Sequence, residues 1–130
     1  MLYYTLLMNE LYKISGRVMK GENRGKELGF PTANMRLHKK IPEGIYAASV
    51  TINGKMYCAA AFVGSAKTFQ QTQVKVESYL FDFSGDLYGK WITVRLYKKI
   101  RENKKFVLVD ELTSQMHQDV KDIKEFFLKE

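Results

Sequence analysis

The chain has 130 residues, of which 45% are hydrophobic and 27% charged, and its formal net charge is +7. This length suits one domain with a core of its own and excludes two full domains. The single cysteine, Cys58, excludes an internal disulfide. Because Cys58 lies in an apolar run, we expect a reduced core thiol and a cytoplasmic protein.

Residues 1–11 are predicted to be an N-terminal extension or the remnant of a connector, and residues 12–130 the domain itself. The opening from Met1 to Met8 is apolar, but it has no basic start and no small-residue cleavage site, and it is too short to cross a bilayer. We therefore expect neither a targeting signal nor a membrane span. The alternation from Tyr12 to Val18 predicts the first strand.

A glycine-rich segment, GENRGKELGFPTAN, occupies residues 21–34. Its glycines can take positive φ and bring the backbone close to a ligand, whereas Pro31 fixes its own φ. Thr32 and Asn34, in what we expect to be a rigid turn, add a hydroxyl and an amide oxygen, which suit Mg²⁺ bound to nucleotide phosphates. An ordinary turn, in which these side chains bond to their own backbone, is the alternative. The segment is neither a Walker-type nor a Rossmann phosphate motif.

A hairpin and a further strand follow. Gly44–Ile52 and Lys55–Val63 flank Asn53-Gly54, a pair typical of a type I′ turn. The segment Val74–Phe83 alternates so that one face carries Glu77 and three aromatic residues, an unusual setting for a carboxylate. An outward-facing strand carboxylate remains the simpler interpretation of Glu77.

Trp91 to Lys98 alternates as the last strand, and from Asp110, the expected N-cap, the period becomes helical. The helix should pack on the sheet through an apolar stripe formed by Leu112, Met116, Val120, Ile123 and Phe127. Five or six short strands and one terminal helix predict a mainly β fold, a mostly antiparallel barrel with a helix packed on it.

The glycine-rich segment resembles the signature of riboflavin kinases, and further motifs follow in that family's order and spacing. They are Pro42-x-Gly44-Ile45-Tyr46, Val76-Glu77-Ser78-Tyr79-Leu80, Asp86-Leu87-Tyr88-Gly89-Lys90, and Arg101 followed by Phe106. The resemblance is to the C-terminal kinase domain of bifunctional bacterial riboflavin kinase/FAD synthetases, without their adenylyltransferase domain. It implies a six-stranded antiparallel Greek-key barrel with a C-terminal α-helix. It also implies an ATP:riboflavin 5′-phosphotransferase that gives FMN and ADP and leaves FAD synthesis to another protein.

The resemblance assigns roles to individual residues. Glu77 would be the general base that takes the proton of the ribityl hydroxyl. Thr32 and Asn34 would hold Mg²⁺, with Mn²⁺ and Zn²⁺ as alternatives, against the phosphates of ATP; CTP and GTP stay open as nucleotides. The ATP-binding set is Gly21, Lys26, Thr32, Asn34, Leu80, Asp82 and Tyr88, and the flavin-binding set is Arg101, Lys104 and Phe106.

Two positions depart from the family pattern. Lys67 stands where family members usually have proline, and Tyr79 stands where a histidine often follows the catalytic Glu77 by two residues. Neither departure removes a predicted ligand or base. Lys67 concerns the shape of the loop at Gly64 and Tyr79 the local tuning of Glu77, so slow turnover and an altered metal preference stay open as consequences.

Two other functions stay open. One is a catalytically weak flavin- or nucleotide-binding regulatory module. The other is a basic RNA-binding barrel, for which the charge of +7 and the run Lys98–Lys105 would count. A solvated loop explains that run more simply, and RNA-binding motifs are lacking. We therefore expect small-molecule substrates, no nucleic acid, no membrane and a monomer.

Overall fold

The computed structural model describes residues 10–20, 31–67 and 72–128. The elements in these ranges are β1 Tyr12–Arg17, β2 Ala33–Arg36, β3 Gly44–Ile52, β4 Lys55–Lys67, β5 Thr72–Leu80, β6 Trp91–Arg101 and α1 Val109–Leu128. Gly21 and Lys26, predicted to bind ATP, lie outside the described residues, as does most of the predicted N-terminal extension.

The strands form one antiparallel sheet in the order β1-β6-β3-β4-β5-β2. β2 lies beside β5 at the end of the β3–β4–β5 meander, which is a Greek-key arrangement. An isolated bridge joins the two sheet edges, where the Met19 amide donates to the Asn34 carbonyl at 2.7 Å. The sheet is therefore a nearly closed barrel with a C-terminal helix, and the predicted fold is confirmed.

The β3–β4 hairpin has the predicted turn. Asn53 and Gly54 have φ values of 50° and 78°, and a type I′ turn requires positive φ at both positions. Ile52 pairs directly with Lys55, and the same register continues along both strands to Gly44 and Val63. A local turn signal thus aligns two long strands at the centre of the sheet.

Side-chain alternation along the strands separates two apolar clusters. One fills the barrel and includes Met35, Tyr46, Val76, Ile92 and Leu96. The other lies on the outer face of the sheet beneath α1 and consists of Ile45, Ala47, Phe81, Tyr97, Ile123 and Phe127. The helix therefore packs on the outside of the barrel through the C-terminal part of its predicted stripe. No helix within the described ranges combines the length and apolarity needed to cross a bilayer.

Several predicted strand boundaries are corrected. β4 continues to Lys67 and β6 to Arg101, because each keeps a hydrogen-bonded neighbour beyond its predicted end. β5 ends earlier, at Leu80, and Asp82 takes a positive φ of 55° in the turn that follows. Phe83 consequently packs against the barrel cluster, and the prediction that it shares the face of Glu77 was wrong.

The predicted N-cap was also wrong. Helix α1 begins at Val109, and the Leu112 amide donates to the Leu108 carbonyl at 3.2 Å, so Asp110 lies inside the first turn. Its carboxylate remains close to the positive end of the helix dipole, which explains why an acidic residue signalled the start of the helix.

A buried ion pair connects α1 to the end of β6. The Arg101 Nε and Nη2 atoms donate to the two Asp119 carboxylate oxygens at 2.7 and 2.8 Å. Asp119 is 4% exposed, and Gln115 Nε2 donates to its Oδ1 atom at 3.0 Å. Both oxygens of the buried Asp119 carboxylate therefore have hydrogen-bond donors, and its charge is paired with that of Arg101.

The Asp119→Asn variant should lower the free energy of unfolding by about 3 kcal/mol, because it leaves the Arg101 charge largely buried without its partner. Asp122→Asn is the matched control: Asp122 accepts a bond from Gln118 at 2.8 Å on the exposed side of the same helix. Loss of that helix-surface bond should cost about 0.5 kcal/mol or less. Urea unfolding of both variants checks this, and equal losses would contradict a special role for the buried pair.

Candidate active site

One row of directly opposed residues crosses five strands of the sheet. Asn34 on β2 lies opposite Glu77 on β5, and Glu77 lies opposite Phe62 on β4. Phe62 in turn lies opposite Ile45 on β3, which lies opposite Arg101 on β6. Opposed residues point to the same face, here the outer face that carries α1. The row brings a predicted metal ligand beside the predicted base and ends at a predicted flavin-side residue.

Asn34 belongs to β2, so the prediction that it lies in a turn was wrong. Pairing with β5 holds its backbone, and the residue is only 6% exposed. Its Nδ2 atom donates to the Thr32 carbonyl at 3.4 Å. Its Oδ1 atom is buried and has no hydrogen-bond partner among the described residues. A buried amide oxygen is costly unless water or a ligand satisfies it, so the Asn34 Oδ1 atom is available to a bound cation.

The chemistry of this pair fits a divalent cation. The Asn34 amide oxygen and the neighbouring Thr32 hydroxyl are hard, uncharged donors of the kind that Mg²⁺ accepts. Within the described ranges, no group of three or more His, Cys, Asp and Glu side chains lies close enough to hold a metal ion. A cation bound at Asn34 could take further oxygen ligands from another molecule, such as a nucleotide phosphate.

Glu77 is paired rather than isolated. Its Oε1 atom lies 2.8 Å from Lys75 Nζ, and the two side chains are 27% and 21% exposed. The second carboxylate oxygen has no hydrogen-bond partner within the described part of the chain, and the Glu77 side chain lies on the same face as Asn34. The setting thus provides a half-buried carboxylate that has a charged neighbour and one oxygen available to a substrate.

A cleft of about 620 Å³ opens at the end of β2 and β5. Its lining includes Thr32, Asn34, Leu80 and Tyr88, so four of the predicted ATP-binding residues surround one space. Asp82 is not part of the lining; it is exposed in the turn after β5.

The same cleft also contains residues that the sequence analysis did not single out. Lys20 lines it and places its Nζ atom 5.6 Å from the centroid of the Tyr88 ring. The Tyr88 turn is fixed to the end of β1, because the Gly89 amide donates to the Val18 carbonyl at 2.9 Å. Only the barrel closure reveals this neighbourhood, since the residues are far apart in sequence.

The segment after β6 is anchored at its start. Arg101 uses its remaining nitrogen, Nη1, to donate to the Glu102 carbonyl at 2.9 Å. Asn103 Nδ2 donates to the Val63 carbonyl at 3.2 Å. Beyond these contacts Lys104 is exposed and Phe106 half-buried. The three predicted flavin-side residues therefore lie on one segment. The Nε, Nη1 and Nη2 atoms of Arg101 already donate hydrogen bonds within the protein.

Among the described residues, burial shifts the pKa values of three titratable groups. Burial raises the pKa of the Cys58 thiol, which makes its thiolate scarce and agrees with the predicted core thiol. Burial also raises the pKa values of the Tyr46 and Tyr97 hydroxyls. Tyr46 donates to the Pro42 carbonyl at 2.6 Å, and Tyr97 shares a 2.8 Å hydrogen bond with Ser49. None of these three side chains lines the cleft; each packs elsewhere in the sheet.

Comparison with known proteins gives one consistent family. The family profile described as Flavokinase, riboflavin kinase, matches residues 8–127. The chain is 38% identical over 124 residues to the bifunctional riboflavin kinase/FMN adenylyltransferase of Haemophilus influenzae, covering 93% of this chain and 40% of that protein. It is 36% identical over 128 residues to the protein of the same name in Bacillus subtilis, covering 94% and 40%. The chain thus spans about two fifths of these relatives' length.

Solved structures agree on the fold. A riboflavin kinase from Trypanosoma brucei matches with a TM-score of 0.66 at 24% identity, covering 90% of this chain and 80% of that one. A Streptococcus pneumoniae structure named as a macrolide-efflux protein matches with a TM-score of 0.79 at 35% identity, covering 86% and 38%. Both matches thus support the fold described above.

Gly64 should resist substitution, because the Phe62 ring lies against its Cα atom. A Cβ atom at Gly64 would clash with the Phe62 ring. We expect Gly64→Ala to displace the ring and cost about 1–3 kcal/mol of stability. Gly16→Ala is the control: its nearest contact would be an ordinary 3.6 Å, to Met35 Sδ, so it should be neutral or stabilise by about 0.4–1 kcal/mol. Thermal unfolding distinguishes them, and a fully stable Gly64→Ala protein would contradict this packing.

Proposed function

Because the chain belongs to the riboflavin kinase family, we propose that it transfers the terminal phosphate of ATP to the ribityl 5′-hydroxyl of riboflavin, giving FMN and ADP. The observation that carries the proposal is the pairing of Asn34 with Glu77 across β2 and β5, at the edge of a cleft of about 620 Å³. A cation ligand and a candidate base are thereby neighbours, as phosphoryl transfer to a hydroxyl requires.

The nucleotide occupies the cleft in this proposal. Leu80 and Tyr88 flank the adenine, with Asp82 at the outer edge of the same turn. Lys20, already beside the Tyr88 ring, adds a positive charge at the cleft wall. Gly21 and Lys26 are proposed to contact the phosphates. A phosphate chain that leaves the cleft past Thr32 and Asn34 comes close to Glu77, because Asn34 lines the cleft and Glu77 is its direct cross-strand partner.

Thr32 and Asn34 are proposed to hold a divalent cation, with Mg²⁺ the expected ion and Mn²⁺ or Zn²⁺ the alternatives. The unpartnered Asn34 Oδ1 atom supports this assignment. When bound, such a cation neutralises charge on the phosphate oxygens. The backbone of β2 keeps Asn34 in place through its pairing with β5, so the amide oxygen is positioned before any ligand arrives.

Glu77 acts as the general base. The acceptor hydroxyl must approach the terminal phosphorus from the side opposite the leaving ADP oxygen, which is the Glu77 side of the cleft. Its proton passes to the carboxylate as the new O–P bond forms and the bond to the ADP oxygen breaks. Lys75 holds Oε1 at 2.8 Å, which leaves Oε2 to accept the proton.

Riboflavin is proposed to lie between Glu77 and the segment after β6. There Phe106 offers an aromatic face and Lys104 an exposed cation. The guanidinium edges of Arg101 are bonded to Asp119, so we propose that Arg101 contributes its planar face and the anchoring of this segment. A monomer in the cytoplasm is the simplest setting for such an enzyme.

The Glu77→Gln variant tests the base. It should bind riboflavin and ATP normally but lose about 10²- to 10⁴-fold in turnover, because the amide cannot take the proton. Fluorescence titration measures flavin binding, and chromatography measures FMN formation. Glu125→Gln, an exposed carboxylate on α1, is the control and should leave both quantities unchanged. Near-normal turnover of Glu77→Gln would overturn the assignment, and binding of both substrates by the wild type without turnover would favour the regulatory module.

The Asn34→Ala variant tests the cation ligand. Removing Oδ1 should raise the Mg²⁺ concentration for half-maximal rate by about tenfold or more, which corresponds to one lost charge-assisted contact of about 1.4 kcal/mol. Riboflavin affinity measured without nucleotide should not change. An unchanged Mg²⁺ dependence, with the variant folded by circular dichroism, would exclude Asn34 as a ligand.

A further inference from the structure

Two positive side chains face each other immediately beyond the Asn34–Glu77 pair. Arg36 on β2 is the direct cross-strand partner of Lys75 on β5. Since each lies two residues from Asn34 or Glu77 along its strand, both point to the same outer face. Like charges in direct cross-strand positions destabilise a sheet. An arrangement of this kind beside a candidate catalytic carboxylate therefore requires an explanation.

Both cations keep hydrogen-bond donors that have no partner among the described residues. Lys75 gives one of its three donors to Glu77 at 2.8 Å. Arg36 is exposed, and none of the hydrogen bonds or ion pairs found in the described ranges involves its guanidinium. Together with Glu77 the cluster has a formal charge of +1, which becomes +2 if the carboxylate takes up a proton.

Protection of a sheet edge is the ordinary explanation for such charges. It accounts for Arg36, because β2 is a short edge strand joined to the other edge by one isolated bridge. It does not account for Lys75, because β5 lies inside the sheet between β4 and β2 and the Lys75 side chain is only 21% exposed. Lys75 therefore needs a second reason for its position.

The position of the pair relative to the cleft supplies that reason. Along β5 the order is Leu80 at the cleft, then Glu77, then Lys75; along β2 it is Thr32, Asn34 and Arg36. The cations thus lie past the base, on the side away from the nucleotide. On the flank of Lys75 away from Arg36 is Gly64, whose Cα is covered by the Phe62 ring. An apolar wall there reduces screening by water and strengthens any charge interaction.

We propose that Arg36 and Lys75 together bind the phosphate of the product FMN, an inference that rests on the proposed kinase activity. Before transfer, Lys75 is paired with the Glu77 carboxylate. During transfer the ribityl proton moves to Glu77 and neutralises it, so Lys75 loses its anionic partner at the moment when a phosphomonoester forms beside it. The Lys75 ammonium and the Arg36 guanidinium then donate to the new phosphate oxygens.

Riboflavin and FMN are a matched pair of probes, because they differ only in the phosphate. The experiment measures the dissociation constant of each by quenching of flavin fluorescence, for the wild type, Lys75→Met, Arg36→Met and the double variant. FMN affinity should fall about tenfold in each single variant and further in the double variant, as expected for lost charge-assisted contacts. Riboflavin affinity should stay constant.

Lys55→Met is the control, because it removes one positive charge from the far end of β4, beside the hairpin turn. It should leave the ratio of the two affinities unchanged. Arg36→Met should also unfold at an equal or higher urea concentration than the wild type, since it relieves the repulsion with Lys75. If Lys75 and Arg36 had a purely structural role, replacing them would instead lower stability and weaken the binding of riboflavin and FMN equally.

The outcomes separate this inference from the proposed function. A wild type that binds riboflavin and forms FMN, with the affinity ratio unchanged in Lys75→Met and Arg36→Met, overturns the phosphate site alone. Equal weakening of riboflavin and FMN overturns it as well. A wild type that neither binds riboflavin nor forms FMN overturns the proposed function. A selective loss of FMN affinity supports the site.

Discussion

The pairing of β2 with β5 is the constraint on which the site depends. β2 has four residues, yet it puts Asn34 opposite Glu77 and Arg36 opposite Lys75, so a candidate cation ligand, a base and two cations share one face. A register shift of one residue would turn Asn34 toward the barrel interior and Ala33 outward. The pairing also completes the barrel, because Asn34 contacts Met19 from the far edge. The strand pairing that closes the barrel therefore also assembles the candidate site.

The rest of the molecule keeps this outer face in place. The barrel interior is apolar and supports the strands from behind, whereas α1 covers a neighbouring part of the outer face. The Arg101–Asp119 pair fixes the helix to β6 and holds the start of the segment that carries Lys104 and Phe106. The candidate site residues thus lie on strands and connecting segments that strand pairing or hydrogen bonds attach to the sheet.

Local signals predicted much of the fold. Asn53-Gly54 specified its turn by conformational preference alone, and the change to a helical period from Asp110 onward revealed the helix. The family motifs indicated Thr32, Asn34 and Glu77. The sequence could not reveal what long-range pairing decides: that Asn34 lies in a strand, that Lys20 joins the cleft, or that Arg36 faces Lys75. The partnership of Asp119 with Arg101 was equally hidden, since only the folded chain brings these two residues together.

The central claim is that the chain is a riboflavin kinase whose phosphate transfer occurs at the Asn34–Glu77 pair. The most direct measurement incubates the purified protein with riboflavin, ATP and Mg²⁺ and follows FMN and ADP by chromatography. The account predicts that both products appear in equal amounts and that their formation stops when the divalent cation is chelated. Binding of riboflavin and ATP without any FMN would contradict it.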